Sequence, residues 1–289
     1  MSLLQVIILA VVQGLAELLP VSSSAHVVVA EKLMGLDPSS PQMTLLLVML
    51  HTGTMFAVIL YFWKQWRRAF FQDMAVFKRS AFHLILATVV TGIVGEAMIK
   101  VMEKFWFHNA PHAEVEQLFS HLELIAPALA LVGVLILLAG IFEKRTSARV
   151  TGELSGLNTK QAGLIGAVQG LCLPFRGFSR SGATISTGML AGVAKIRAEE
   201  FSFALAVILT PPVVAREVLR LIKAEHLTGG ASLGLAMAPS VLGAVCAFLA
   251  GLVALKWLSQ WLEGGRWYLF GIYCLLAAAA VTVLHRIGY

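Results

Sequence analysis

Two short stretches, far apart in the chain, hold most of the residues able to do chemistry. The first runs Gln13-Gly14-Leu15-Ala16-Glu17, then Leu19-Pro20-Val21-Ser22-Ser23-Ser24-Ala25-His26. Gln13 and Glu17 are four residues apart, so in a helix they share a face. Ser22, Ser23 and Ser24 stand just before the apolar run from Val27 to Ala30, where the N-cap of a helix belongs. Free N–H groups and the helix dipole at such a terminus attract phosphate. His26, three residues after Ser23, lies one turn along and is placed to take the serine's proton, which would make Ser23 a nucleophile. The second stretch is Gly177-Phe178-Ser179-Arg180-Ser181-Gly182, followed by Ala183 and Thr184. Its glycines let the backbone wrap an anion, and Arg180 offers a planar guanidinium fork to phosphate oxygens. A carboxylate, helix-terminal serines, a histidine and an arginine together suit phosphoryl transfer. The plainer readings are a serine cap, an interfacial carboxylate, and a purely structural Arg180–Glu17 pair. No GxxxxGK[ST] loop accompanies these residues, so nothing points to a nucleotide.

The elements that must position them belong in lipid. Of 289 residues, 58% are hydrophobic and 13% charged, against about 25% charged in ordinary soluble domains. Mean hydropathy is +0.82. Six apolar segments, 42–63, 81–102, 122–142, 199–222, 233–256 and 267–286, are long enough to span a bilayer. Two more, 3–34 and 161–194, are broken in the middle, at Leu19 to Ser24 and at Pro174 to Gly182. Proline removes a backbone donor and glycine loosens the chain, so each reads as two half-helices joined by a loop. Glu17 and Arg180 then sit at membrane depth, where ionisable residues are costly and functional by default. The expected fold is an all-α integral membrane protein, a single domain over 1–289 with six transmembrane helices and two re-entrant hairpins.

The two breaks are related. Val12-Gln13-Gly14-Leu15 recurs as Val168-Gln169-Gly170-Leu171, and each broken segment is followed by three spans. An odd number of spans inverts the second unit, so the chain reads as an inverted-topology repeat, 1–145 and 160–289, with hairpins 3–34 and 161–194. Net charge is +6, and its basic residues gather in short loops, which suits positive-inside topology rather than nucleic-acid binding. Lys64, Arg67, Arg68, Lys78 and Arg79, and then Lys144, Arg145, Arg149 and Lys160, mark cytoplasmic loops; the acidic stretch from Glu103 to Glu123 is external. Both termini then lie outside. The N-terminal apolar run has no basic residue before it and no small-residue cleavage site, so it does not read as a signal peptide. Cys172, Cys246 and Cys274 lack the spacing of a disulfide framework or zinc site. His51 reads as a core histidine and Arg216 and Glu217 as interfacial; Gly188 and Gly192 read as helix packing. Trp63, Trp66, Trp257, Trp261 and Trp267 read as an interfacial belt.

The stretch from Gln13 to His26 resembles the first signature of the BacA/UppP undecaprenyl-diphosphate phosphatase family, and Gly177 to Thr184 resembles its second. The resemblance covers essentially the whole chain. It implies hydrolysis of undecaprenyl diphosphate to the monophosphate, which recycles the carrier for peptidoglycan synthesis and confers bacitracin resistance. By the same resemblance, catalytic roles fall on Glu17, Ser23, His26 and Arg180. Gln13, Ser22, Ser24, Gly177, Ser179, Ser181 and Gly182 would surround the substrate. It also implies a divalent cation, Mg²⁺ or Ca²⁺, held by Glu17 and phosphate oxygens through waters. The expected place is the bacterial inner membrane, with the site facing the periplasm; the oligomeric state stays open. Two positions depart from the family pattern: Gln13 where many members have glutamate, and Arg176 where many have proline. A transporter or flippase of the polyprenyl phosphate is the main rival, because broken helices in inverted repeats are a transporter architecture. A second membrane phosphatase class, with SGH and SR…H motifs, fits poorly, since no histidine follows Arg180 within ten residues.

Overall fold

The structure is a computed structural model, and it describes residues 1–38, 40–106, 121–146, 157–228, 233–262 and 266–288. Among these residues there are helices and turns and no strand. In chain order the helices are α1 (Leu3–Ala16), α2 (Ser23–Leu33), α3 (Pro41–Phe70), α4 (Met74–Trp106) and α5 (Leu122–Thr146). After them come α6 (Thr159–Cys172), α7 (Arg180–Leu190), α8 (Lys195–Thr228), α9 (Leu233–Leu262) and α10 (Tyr268–Arg286). The stretches Gln42–Phe70, Met74–Met102, Leu122–Glu143, Lys195–Arg216, Met237–Lys256 and Tyr268–Arg286 are long and apolar enough to cross a membrane. At 14 residues, α1 and α6 are too short to do so, since about 20 are needed. Large apolar side chains such as Leu60, Ile85, Ile93, Leu131, Val253 and Leu276 point outward, as lipid contact requires.

The two broken segments match closely. α1 and α6 each have 14 residues and start 156 positions apart. Both open on capping boxes, Ser2 with Gln5 and Asn158 with Gln161. α2 and α7 each have 11 residues and end at glycines of positive φ, Gly35 and Gly192. α1 packs on α9, and α6 packs on α4. At the closest approach, a β-carbon on Gly14 would press on Ala247, Ala250 and Gly251, and one on Gly170 would press on Thr91, Val94 and Gly95. The same offset of 156 relates those neighbours position by position. α5 lies against α10 and α7, and α3 against α9 and α8, so the helices of the two halves interleave.

Several expectations change. The basic stretch from Lys64 to Arg79 is not a loop: α3 continues to Phe70 and α4 begins at Met74, with a tight turn between. Asp73 makes this possible, because its Oδ1 accepts from the N–H groups of Ala75 and Val76 at 2.8 and 2.9 Å. Trp66 and Trp267 are buried rather than interfacial; their indole N–H groups donate to the Glu200 carbonyl and the Ser186 hydroxyl. Trp63 is exposed, as expected of a belt residue. Gly188 packs against Ala198, but Gly192 meets nothing and serves to end α7. Most of the acidic stretch (107–120), Arg149, and the side chains of Glu103, Lys144, Arg145, Glu217, Trp257 and Trp261 lie outside the described residues. All three cysteines are free thiols.

Candidate active site

The two breaks meet. Pro20 ends any continuation of α1 by removing a backbone donor, and the chain re-enters a helix at Ser23. Ser22, at the N-cap position, has φ 67° and ψ 84° and makes no side-chain cap to α2. The Ser22 side chain therefore does not compete with an anion for the first-turn N–H groups of α2. In the second break Ser179 caps α7 through the N–H of Gly182 at 3.1 Å. A β-carbon on Gly182 would strike the Pro20 carbonyl, so the glycine lets the two breaks touch.

Glu17 is the centre of the contact. Its Oε1 accepts from Arg180 Nη2 at 2.7 Å. Its Oε2 accepts from Ser23 Oγ at 2.5 Å and from Gln13 Nε2 at 2.9 Å. His51 Nε2 lies 3.3 Å from the same oxygen, while its Nδ1 donates to the Leu47 carbonyl at 2.8 Å. Arg180 Nη1 is buried without a hydrogen-bond partner among the described residues. A buried cationic donor left unpaired is expensive, and the guanidinium that carries it lines the cavity. The cluster borders a cavity of about 550 Å³, within the range of small-molecule sites. Ser22, Ser23, Ser24, Ser179, Arg180 and Ser181 line it. Its walls are largely apolar, including Leu47, Val48, Met55, Val58, Phe203 and Val207.

The chain matches the family model described as "Bacitracin resistance protein BacA" over residues 6–280. It is 55% identical to undecaprenyl-diphosphatase 2 of Acinetobacter baylyi, over 98% of each chain. It is 35% identical to undecaprenyl-diphosphatase 1 of Burkholderia pseudomallei and 34% identical to undecaprenyl-diphosphatase 2 of Burkholderia orbicola. Both of those matches cover 96% of this chain and 95% of the relative. The chain belongs to the BacA family.

In this member, then, the residues anticipated from sequence fall into two groups. Glu17, Ser23 and Arg180 are brought together at the cavity, with Ser22, Ser24, Ser179 and Ser181 around them. Gln13 is buried behind Glu17 and reaches the site only through that carboxylate. Gly177 and Gly182 are not among the lining residues; they pack against Ile125 and Pro20. The Ser23–His26 pairing expected from their spacing is not formed. Both His26 nitrogens are engaged elsewhere, with the Ser22 carbonyl and the Tyr273 hydroxyl, because the ring turns toward α10.

Three residues that the sequence reading did not assign to the site line the cavity. His51 is a cavity residue touching Glu17, and Arg216 lines the cavity as well. The signal at His51 was an ionisable residue at membrane depth; what the sequence lacked was its direction. Gln169 also lines the cavity, with both amide atoms buried and without partners among the described residues. Its signal was the recurrence of Val-Gln-Gly-Leu. The cation expectation fits these residues poorly. Among the described residues no three His, Cys, Asp or Glu side chains gather. A carboxylate offers about four lone-pair sites, and Glu17 already faces Gln13, Ser23, His51 and Arg180.

Proposed function

We propose that this protein hydrolyses undecaprenyl diphosphate to undecaprenyl phosphate and inorganic phosphate. That returns the lipid carrier to peptidoglycan synthesis and confers bacitracin resistance. Membership of the BacA family and its undecaprenyl-diphosphatase relatives support the reaction. The observation that carries the mechanism is the hydrogen bond from the Ser23 hydroxyl to a carboxylate that Arg180 also holds. The terminal phosphate docks at the N-terminus of α2 with an oxygen on the Arg180 guanidinium, and the prenyl chain leaves along the apolar wall. Ser23 Oγ attacks the terminal phosphorus while its proton passes to Glu17 Oε2. The bond from that phosphorus to the bridging oxygen breaks, and undecaprenyl phosphate departs with the proton. Water then attacks the phosphoserine phosphorus and gives one proton to Glu17; the bond to Ser23 Oγ breaks, Glu17 returns the proton to that oxygen, and inorganic phosphate leaves. Arg180 offsets charge building on the transferring group, the kind of contribution worth about 10²–10³ in rate.

The halves 1–145 and 160–289 form an inverted repeat in this reading. The matched lengths of α1/α2 and α6/α7, the capping boxes of α1 and α6, and the glycine contacts of Gly14 and Gly170 support it. With the basic turn between α3 and α4 in the cytoplasm, the lining residues of α3 and α4, Thr44 to Val58 and Ile99, run from mid-helix toward the outer ends, and those of α8 run from Phe203 near mid-span to Arg216 at the outer end of its span. The site therefore faces the periplasm from the bacterial inner membrane. Phosphate release from undecaprenyl diphosphate by purified protein in detergent tests the function. Ser23→Ala within about tenfold of wild type, roughly 1.4 kcal/mol in barrier, would remove the nucleophile and leave Ser23 a phosphate ligand.

A further inference from the structure

We infer that His26 is a positioning residue for Ser23, not the base of the reaction, and that Tyr273 of α10 holds it in that role. The inference rests on the reading of Ser23 as the nucleophile. His26 Nδ1 is 2.8 Å from the Ser22 carbonyl oxygen, and Nε2 is 2.7 Å from the Tyr273 hydroxyl. The two rings stack, with centroids 5.6 Å apart and planes 12° from parallel. A carbonyl can only accept, so Nδ1 carries the hydrogen. The neutral ring then has a bare Nε2, which accepts the tyrosine O–H. Neither nitrogen is left for Ser23, whose hydroxyl donates to Glu17 instead.

What the ring grips is the strained link in the break. Among the described residues, Ser22 is the one non-glycine residue with positive φ. Residues with a β-carbon persist in that region when their surroundings hold them there. The Ser22 carbonyl accepts from both the His26 ring and the His26 backbone N–H, the latter at 3.3 Å. Because Ser22 directly precedes Ser23, any relaxation of that peptide swings Ser23 Oγ off Glu17. α10 grips the same break a second time, one residue further along: Cys274 Sγ donates to the Pro20 carbonyl at 3.6 Å. Tyr273 itself is not among the cavity-lining residues and is half exposed. It acts through His26 and does not touch substrate.

The side-chain amide of asparagine puts an N–H close to where Nδ1 stands, whereas glutamine places its amide near Nε2. Steady-state kcat and KM for undecaprenyl diphosphate are measured on the purified full chain for His26→Asn, His26→Gln, Tyr273→Phe and the double variant His26→Asn/Tyr273→Phe. His26→Asn is expected to keep kcat within about tenfold of wild type, the scale of one weakened hydrogen bond. His26→Gln should lose about 100-fold, as misplaced reacting groups do. KM should hold in all of them, because Arg180 and the α2 terminus still bind phosphate. Tyr273→Phe should lower kcat about 3- to 10-fold in the wild-type background and have no effect beside His26→Asn, which has no Nε2 to hold. A general loss of folding would not produce that non-additivity. Three results would overturn the inference: His26→Asn as inactive as His26→Gln, Tyr273→Phe equal to wild type, or the same Tyr273→Phe factor in both backgrounds. Ser23→Ala measured alongside separates the two readings. Turnover retained there removes the nucleophile assignment, whereas its loss together with a failed His26→Asn rescue removes only the positioning role.

Discussion

Replacing Arg180 perturbs two things at once, and the structure allows them to be separated. Its Nη2 holds Glu17 Oε1 at 2.7 Å, while Nη1 has no hydrogen-bond partner among the described residues. Arg180→Ala removes the phosphate clamp, which costs about 10²–10³ in rate, or about 2.7–4 kcal/mol of barrier. It also leaves Glu17, whose side chain is 10% exposed, without its permanent cation. Breaking a buried pair from one side typically costs about 3–5 kcal/mol of stability. Adding Glu17→Gln removes the stranded charge, so Glu17→Gln/Arg180→Ala should regain thermal stability while remaining inactive. Arg180→Lys should fall between wild type and Arg180→Ala in kcat/KM, because an ammonium is a point charge that faces either Glu17 or phosphate, not both. The assays are phosphate release per monodisperse protein and the unfolding temperature in the same detergent. Two results would refute the reasoning: a well-folded Arg180→Ala enzyme within about threefold of wild type, or a double variant no more stable than the single one.

Three further expectations follow from other parts of the molecule. With single cysteines at Gln72 and Asn109, an impermeant thiol reagent on intact cells should label Asn109 and spare Gln72; the reverse would overturn the orientation of the site. Gly14→Val should fail to assemble, because a β-carbon there would lie 2.5 Å from Ala250 Cβ and 2.9 Å from the Ala247 carbonyl. Gly92→Ala, with nothing within 4 Å, should be tolerated or gain up to about 1 kcal/mol of helix propensity; equal yields of both folded proteins would contradict the packing. Because Gln13, Ser23 and Arg180 already donate to Glu17, chelator-treated and desalted protein should bind no Mn²⁺ without diphosphate, as read by electron paramagnetic resonance. One equivalent retained by wild type and lost in Glu17→Gln would establish a resident cation at Glu17.

Much of this protein is written locally in its sequence. The six spans follow from apolar run length, because a bilayer of fixed thickness selects helices by length and composition. The breaks follow from proline, glycine and serine, whose effect on the backbone needs no distant partner, and the helices stop and restart at Glu17–Ser22 and Leu173–Ser179 as those residues dictate. Gln13 and Glu17 share a helix turn and do meet. Directions were not legible. The spacing of Ser23 and His26 suggested a pair, yet α10 supplies Tyr273 and turns the ring away. His51 read as core material, but α3 presents it to Glu17, 34 positions earlier in the chain. The union of Glu17 with Arg180 across 163 residues was legible only as one reading among several. Periodicity tells which residues share a face of a helix; what that face meets depends on neighbours contributed by other helices, and only their packing decides it.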